Sequence, residues 1–286
     1  MKTAAIQILG IALIAFAISN GSARAGQVYL GVDSGDVTNA NPAGVQTRYK
    51  ISSTNWDAMI GNAVQPIVPA SINAKDLGNN SALSGTPFSY EVTNLVGQGL
   101  YLSLKNLNTN YTTVLSYGNF ASSPVASNFW QNATSLNGVF PQTTPYNALH
   151  LYAQASTVGD QVVYANASFT INTPGITLNG LLPASGSAQY GVNTTTQSYI
   201  AYFNDNGTKG DLSSIGWTFK SNVTVSRTTA SGSGESAKFE FTGKTLDYTP
   251  PGGGVAAVPE TSTWIMGFLA LGAVVFMVRR NANSSV

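Results

Sequence analysis

The chain has 286 residues, with 13 Lys+Arg against 12 Asp+Glu, one His and no Cys. The absence of cysteine excludes a disulfide framework, a thiolate metal site and a thiol nucleophile. Charge is sparse and balanced, at 9% of residues, so the clustered cations that phosphate backbones require are missing and nucleic acid is not an expected partner.

Residues 1–25 read as a signal peptide. Lys2 supplies the positive start, residues 4–18 are apolar apart from Gln7 and Gly10, and Ala23-Arg24-Ala25 gives small side chains at both positions of an A-x-A cleavage site. Cleavage after Ala25 leaves Gly26 as the mature N-terminus. Ala23, Ala25 and Gly26 therefore form the expected signal peptidase site, and the Sec translocon and signal peptidase are the first expected partners.

The body, 26–249, shows hydrophobic residues at period two, the signature of half-buried strands. In chain order the candidate strands are 28–32, 46–51, 87–92, "LYLSLKNL" with Leu100, Leu102 and Leu104 on one face, 112–117 and 147–154. "QVVYANASFTI" follows, with Val163, Ala165, Ala167, Phe169 and Ile171 on one side. The later ones are 176–178, 199–203, "IGWTFK" with Ile215, Trp217 and Phe219 inward, "NVTVSR" with Val223 and Val225, and "AKFEFTGK" with Phe239 and Phe241. Turn-rich segments such as "NPAG", "GNNSALSGTP" and "NDNGTKGD" separate them. This predicts an all-β, antiparallel β-sandwich or jelly-roll-like body. One helix is expected over 55–61, with Trp56, Met59 and Ile60 sharing a face. Residues 118–146, with Phe129 and Trp130 as anchors, read as a long loop or short helix.

The body offers little chemistry. His150 is the single histidine and there is no G-x-S-x-G elbow, so a Ser-His-Asp triad is not expected. Asp33, Asp36, Glu91, Glu235, Glu240 and Asp247 are the carboxylates available for a glycosidase pair, and Glu240 reads as solvated because it alternates with Phe239 and Phe241. Weak calcium candidates are Asp33 and Asp36 in "GVDSGDV" and Asp205 and Asp211 in "NDNGTKGD". The second loop fails the EF-hand pattern, since Tyr202 stands at the first position and Ser213 at the twelfth. No enzyme activity and no cofactor are expected.

"PPGGGVAA" at 250–257 is a flexible tether. Beyond it, 264–278 is apolar throughout and covers roughly 23 Å as a helix, against roughly 30 Å of hydrocarbon. Trp264 suits the interfacial aromatic belt, and Arg279 and Arg280 reach the headgroups. The expectation is a single C-terminal transmembrane helix at about 263–278, with 281–286 in the cytoplasm and the body outside.

Val258-Pro259-Glu260, then Ser262-Thr263-Trp264, the apolar run and Arg279-Arg280 together resemble the PEP-CTERM sorting signal. That resemblance covers 258–280. It implies recognition by an exosortase of a Gram-negative bacterium through Val258, Pro259, Glu260, Trp264, Arg279 and Arg280, and association with exopolysaccharide or biofilm. The order of strands in the body resembles the choice-of-anchor W type of exported domain, which implies a β-sandwich of unassigned activity. The expected function is thus an exported surface or matrix protein with a structural, adhesive role. The alternatives are a retained, type I membrane-anchored surface protein and a secreted polysaccharide hydrolase.

Overall fold

Alternation of apolar and polar side chains yields fifteen strands among the residues described by the computed structural model, which are 26–51, 55–62, 72–79, 83–118, 130–137, 145–204, 207–228 and 237–250. The predicted signal peptide and the sorting segment from Val258 onward lie outside these residues, as do Asp205 and Glu235. Among the described residues no helix is long and apolar enough to cross a membrane.

The strands, numbered in chain order, form two sheets. The first runs β11 (Thr177–Gly180), β1 (Gln27–Val32), β13 (Thr195–Phe203), β9 (Ala148–Ala155), β15 (Ala237–Tyr248), β2 (Val37–Ile51), β3 (Asn55–Asn62), β4 (Ile72–Asn79). The second runs β12 (Gly186–Gln189), β10 (Asp160–Ile171), β14 (Trp217–Arg227), β5 (Pro87–Leu95), β6 (Gly99–Asn106), β7 (Thr112–Gly118), β8 (Trp130–Asn137). Pairing is antiparallel except for β1 with β11 and β7 with β8, which are parallel. The expected sandwich is therefore present, with two parallel pairs that alternation alone does not announce. β4 and β8 approach each other on one flank, while β11 and β12 end the sheets on the other.

The core lies between the sheets. Leu100, Leu102 and Leu104 point into it from β6, and Trp217, Phe219, Val223 and Val225 from β14. Phe219 of the second sheet stacks on Phe241 of the first, with centroids 4.4 Å apart at 15°, and Tyr90 meets Phe239 edge-on at 5.0 Å. Burying each such ring contributes about 2 kcal/mol, and aromatic pairs across the interface fix how the two sheets sit. A smaller apolar cluster covers part of the opposite face of the first sheet. It includes Val32, Tyr199, Phe203 and Leu246, with Tyr29 and Tyr248 packed against it.

Four expectations change. Residues 55–61 are not a helix but β3, because Trp56, Ala58 and Ile60 are fully buried at a spacing of two. Part of 118–146 is β8, paired with β7. The two candidates at 215–220 and 222–227 are one strand, β14. In β10 the buried residues are first Val162 and Tyr164, then Phe169, while Val163 is exposed. The register shifts between Ala165 and Ser168, and Asn166 has a φ of 56°. That bulge inserts one residue and moves the inward face from even to odd positions.

Candidate functional site

The two oxygen-rich loops singled out by sequence open onto one end of the sandwich. β13 ends at Phe203, beyond which the Gly207 N–H donates to the Asn204 carbonyl at 2.9 Å and the Asn204 N–H to the Thr208 carbonyl at 2.8 Å. Gly207 has a φ of 77°, which the absence of a Cβ permits. The returning chain bonds back along β13, Gly210 N–H to the Tyr202 carbonyl at 2.9 Å. Buried Asn94 of β5 then holds the loop from the other sheet, its amide donating to the carbonyls of Ser213 at 3.2 Å and Ile215 at 2.8 Å. The Trp217 indole N–H does the same for Leu212 at 3.0 Å. Opposite, the buried Asn147 amide brackets Leu246, donating to its carbonyl at 3.0 Å and accepting its N–H at 2.9 Å. It acts as a substitute strand residue at the start of β9.

Lys209 sits between two recesses framed by this loop. One is lined by Asn147, Asn204, Asp211 and Ser214, the other by Asp36, Thr38, Asp247 and Tyr248. The Lys209 ammonium pairs with the Asp247 carboxylate, and both side chains are nearly half exposed. The hydrogen bond and charge of Lys209 hold the Asp247 carboxyl below its ordinary range.

The four calcium candidates separate. Asp33 caps the short 3-10 turn Ser34–Asp36, accepting the Gly35 N–H at 3.0 Å. Asp211 caps Leu212–Ser214, accepting the Ser213 N–H at 2.9 Å and its hydroxyl at 2.6 Å. Asp36 lines the second recess beside an ammonium that repels a dication, and Asp205 lies outside the described residues. Among the described residues no group of three or more His, Cys, Asp or Glu is placed to hold a metal ion.

The glycosidase candidates also separate. Glu91 pairs with Lys220 on the second sheet at 3.0 Å. Glu240 and Asp247 stand seven residues apart on β15, roughly 23 Å along a strand and well beyond the spacing a carboxylate pair needs. Asp36 and Asp247 do share a recess, with Lys209 on the latter. Glu240 is not solvated, as its alternation suggested. It is 7% exposed, bound by Arg48 at 2.7 Å and Lys238 at 3.4 Å, and it accepts the Thr242 hydroxyl at 2.6 Å. Burial pushes its carboxyl up, but these partners outweigh it and the net shift is downward. Arg48 and Lys238, themselves little exposed, flank it on the outer face of the sheet, which is why alternation misreads this residue.

His150 belongs to the same outer face. Its ring stacks on Tyr199 at 4.5 Å and 13°, and its Nε2 is 3.1 Å from the Gln197 amide oxygen. Burial, joined by the charge of Lys244, lowers its pKa to about 4. The imidazole is therefore neutral and engaged in packing, and its hydrogen-bond partner is an amide rather than a nucleophile.

Of the predicted signal peptidase site, Gly26 is the first described residue. It lies buried at the start of β1, where any side chain would collide with the Tyr202 ring, and its carbonyl accepts the Thr177 N–H at 2.9 Å. Lys209, Asn94 and Asn147 escaped sequence reasoning. Buried amides carry no pattern, and Lys209 sits inside a loop whose acids draw attention to cations instead. Comparison of the chain with protein-family models gives no match, and comparison with curated proteins gives none either.

Proposed function

We propose that the chain is an exported surface or matrix protein, delivered through a cleaved signal peptide and a PEP-CTERM-type tail read by an exosortase. The observation that carries this reading is the ordered tail: Val258-Pro259-Glu260, then Trp264, an apolar run and Arg279-Arg280, opposite Ala23-Arg24-Ala25 at the start. Pro259 biases Val258 toward extended backbone, and Glu260 places a charge beside the membrane segment. A membrane-embedded processing enzyme thus meets an extended, charged handle on a Pro/Gly tether. The body contributes a neutral, hydrogen-bonding scaffold suited to cohesion with exopolysaccharide.

Mass spectrometry of the exported protein tests the reading. Mature chains are expected to begin at Gly26 and to lack the segment after the Val258-Pro259-Glu260 motif. An intact peptide spanning Trp264 to Arg280 in the exported pool would sink exosortase processing. It would favour the second reading, a retained type I anchor, which the run 264–278 with its trailing arginines supports.

A further inference from the structure

We propose that the recess between Lys209 and Tyr248 binds a neutral, polyhydroxylated ligand, an uncharged segment of polysaccharide. The recess has a volume of about 630 Å³, within the roughly 300–1,000 Å³ of ligand-binding clefts. Its lining combines the carboxylates of Asp36 and Asp247, the Lys209 ammonium, the Thr38 hydroxyl and the rings of Phe203 and Tyr248. This gives the exopolysaccharide contact of the surface-protein reading a place on the body, and rests on that reading for its setting.

Strand pairing builds the recess. β2 begins beside the end of β15, with Val37 opposite Tyr248, which brings Asp36 and Thr38 to Asp247 and Tyr248. The Tyr248 ring is held in place. It packs edge-on against Tyr29, with centroids 5.9 Å apart at 65°, and against Phe203 at 6.2 Å and 48°. Phe203 is buried, whereas Tyr248 is half-buried and keeps surface for a ligand. Burial, joined by the charge of Asp36, pushes the Tyr248 phenol up, which puts Asp36 beside that ring. A carboxylate offers about four lone-pair sites, so the bond from Lys209 leaves Asp247 able to accept more. The neighbouring recess, with Asn204, Asp211 and Ser214, shares Lys209. A chain of linked units thus has a path from one recess into the other.

The lining selects the ligand. A hydroxyl both donates and accepts, and here donors and acceptors stand side by side. Hydrogen bonds to ionised groups are roughly twice as strong as neutral ones, so the carboxylates orient a ligand that has no charge of its own. The C–H face of a sugar ring is apolar and suits the held ring of Tyr248. Across the two recesses Asp36, Asp211 and Asp247 face one ammonium, Lys209. Three negative charges against one positive repel a uronate or a phosphate. A divalent cation meets Lys209 instead of a convergent ligand set, which is absent among the described residues. An apolar ligand would desolvate the carboxylates without giving them partners.

The test is binding of the full chain, in detergent, to neutral hexasaccharides of glucose, mannose and galactose, with hexagalacturonate as the acidic counterpart. Saturation-transfer NMR identifies the binder, and titration calorimetry gives its dissociation constant. At least one neutral hexasaccharide is expected to bind, and hexagalacturonate at least about tenfold more weakly. Asp36→Ala and Tyr248→Ala are each expected to weaken the binding at least about tenfold. The Asp36 side chain is exposed, so its variant keeps the unfolding midpoint and reports on the ligand alone. Tyr111→Ala removes a ring that is 57% exposed on a hairpin of the other sheet and is expected to leave the constant unchanged. Binding of none of the neutral glycans overturns the proposal, as does equal binding of hexagalacturonate or an equal loss in Tyr111→Ala. Glycan binding by a chain that retains its tail sinks exosortase processing alone. A processed, exported chain that binds none of the neutral glycans sinks the recess assignment alone.

Discussion

The two ends of the sandwich carry the same kind of ion pair in opposite surroundings. At the end formed by the β9–β10 turn, Arg227 grips Asp160 through two hydrogen bonds of 2.9 and 3.1 Å, with side chains 1% and 0% exposed. At the other end Lys209 meets Asp247, with side chains 45% and 49% exposed. A guanidinium and a carboxylate out of water must stay paired, because either alone would be a buried charge. An ammonium and a carboxylate in water exchange each other for solvent at little cost. One end is therefore locked, and the other, with its recesses and its loop held by amides, remains open to solutes.

Substitutions should break this contrast in a fixed order. The largest loss is expected from Arg227→Ala, which strands the Asp160 carboxylate and costs about 3–5 kcal/mol in chemical denaturation. Replacing both partners by apolar residues of similar size should recover most of that loss.

Acid comes next and acts between the two ends. His150 faces Lys244, Lys238 and Glu240, and its pKa falls from 6.5 to about 4 on folding. A group whose folded pKa is depressed below its unfolded value resists protonation only in the native state. Stability is therefore full above pH 6.5 and declines as pH falls toward 4, a loss of about 3 kcal/mol in all. His150→Phe should flatten that part of the stability–pH curve. An unchanged slope in the variant would show that other groups govern it.

A smaller loss, about 1–3 kcal/mol, is expected from Asn147→Ala, because the carbonyl and N–H of Leu246 lose their partner beside the recess. The smallest effect belongs to Asp247→Asn. Its unfolding midpoint should barely move, and the remaining difference should vanish in high salt. A large effect there would mean that the fold depends on the exposed pair as heavily as on the buried one.

Much of the architecture was legible in the sequence. β6, β14 and β15 alternate cleanly, and their inward residues are the core. Legibility failed where a single backbone feature changes parity. The left-handed Asn166 in β10 flips the face of everything before it, so Val163 is exposed and Tyr164 buried. Over 55–61 the spacing of Trp56, Met59 and Ile60 fits a helix, and only the neglected Ala58 reveals the strand. At the candidate site, the convergence of the loops around Asp36 and Asp211 depends on pairing between distant strands, which one sequence does not display. The burial of Glu240 arises from cations on β2 and β15 brought together by register, Glu240 standing opposite Arg48.

The position of β15 has a mechanical consequence. It lies inside the first sheet, bonded to β9 on one side and β2 on the other over most of its length, and the chain leaves it toward Pro250. A pull applied along β15 from its Tyr248 end meets both ladders at once. It loads both ladders in shear, so their hydrogen bonds share the force instead of opening one at a time. Resistance of this kind is set by the unfolding barrier rather than by equilibrium stability. The last described strand is thus held by two ladders, where an edge strand is held by one.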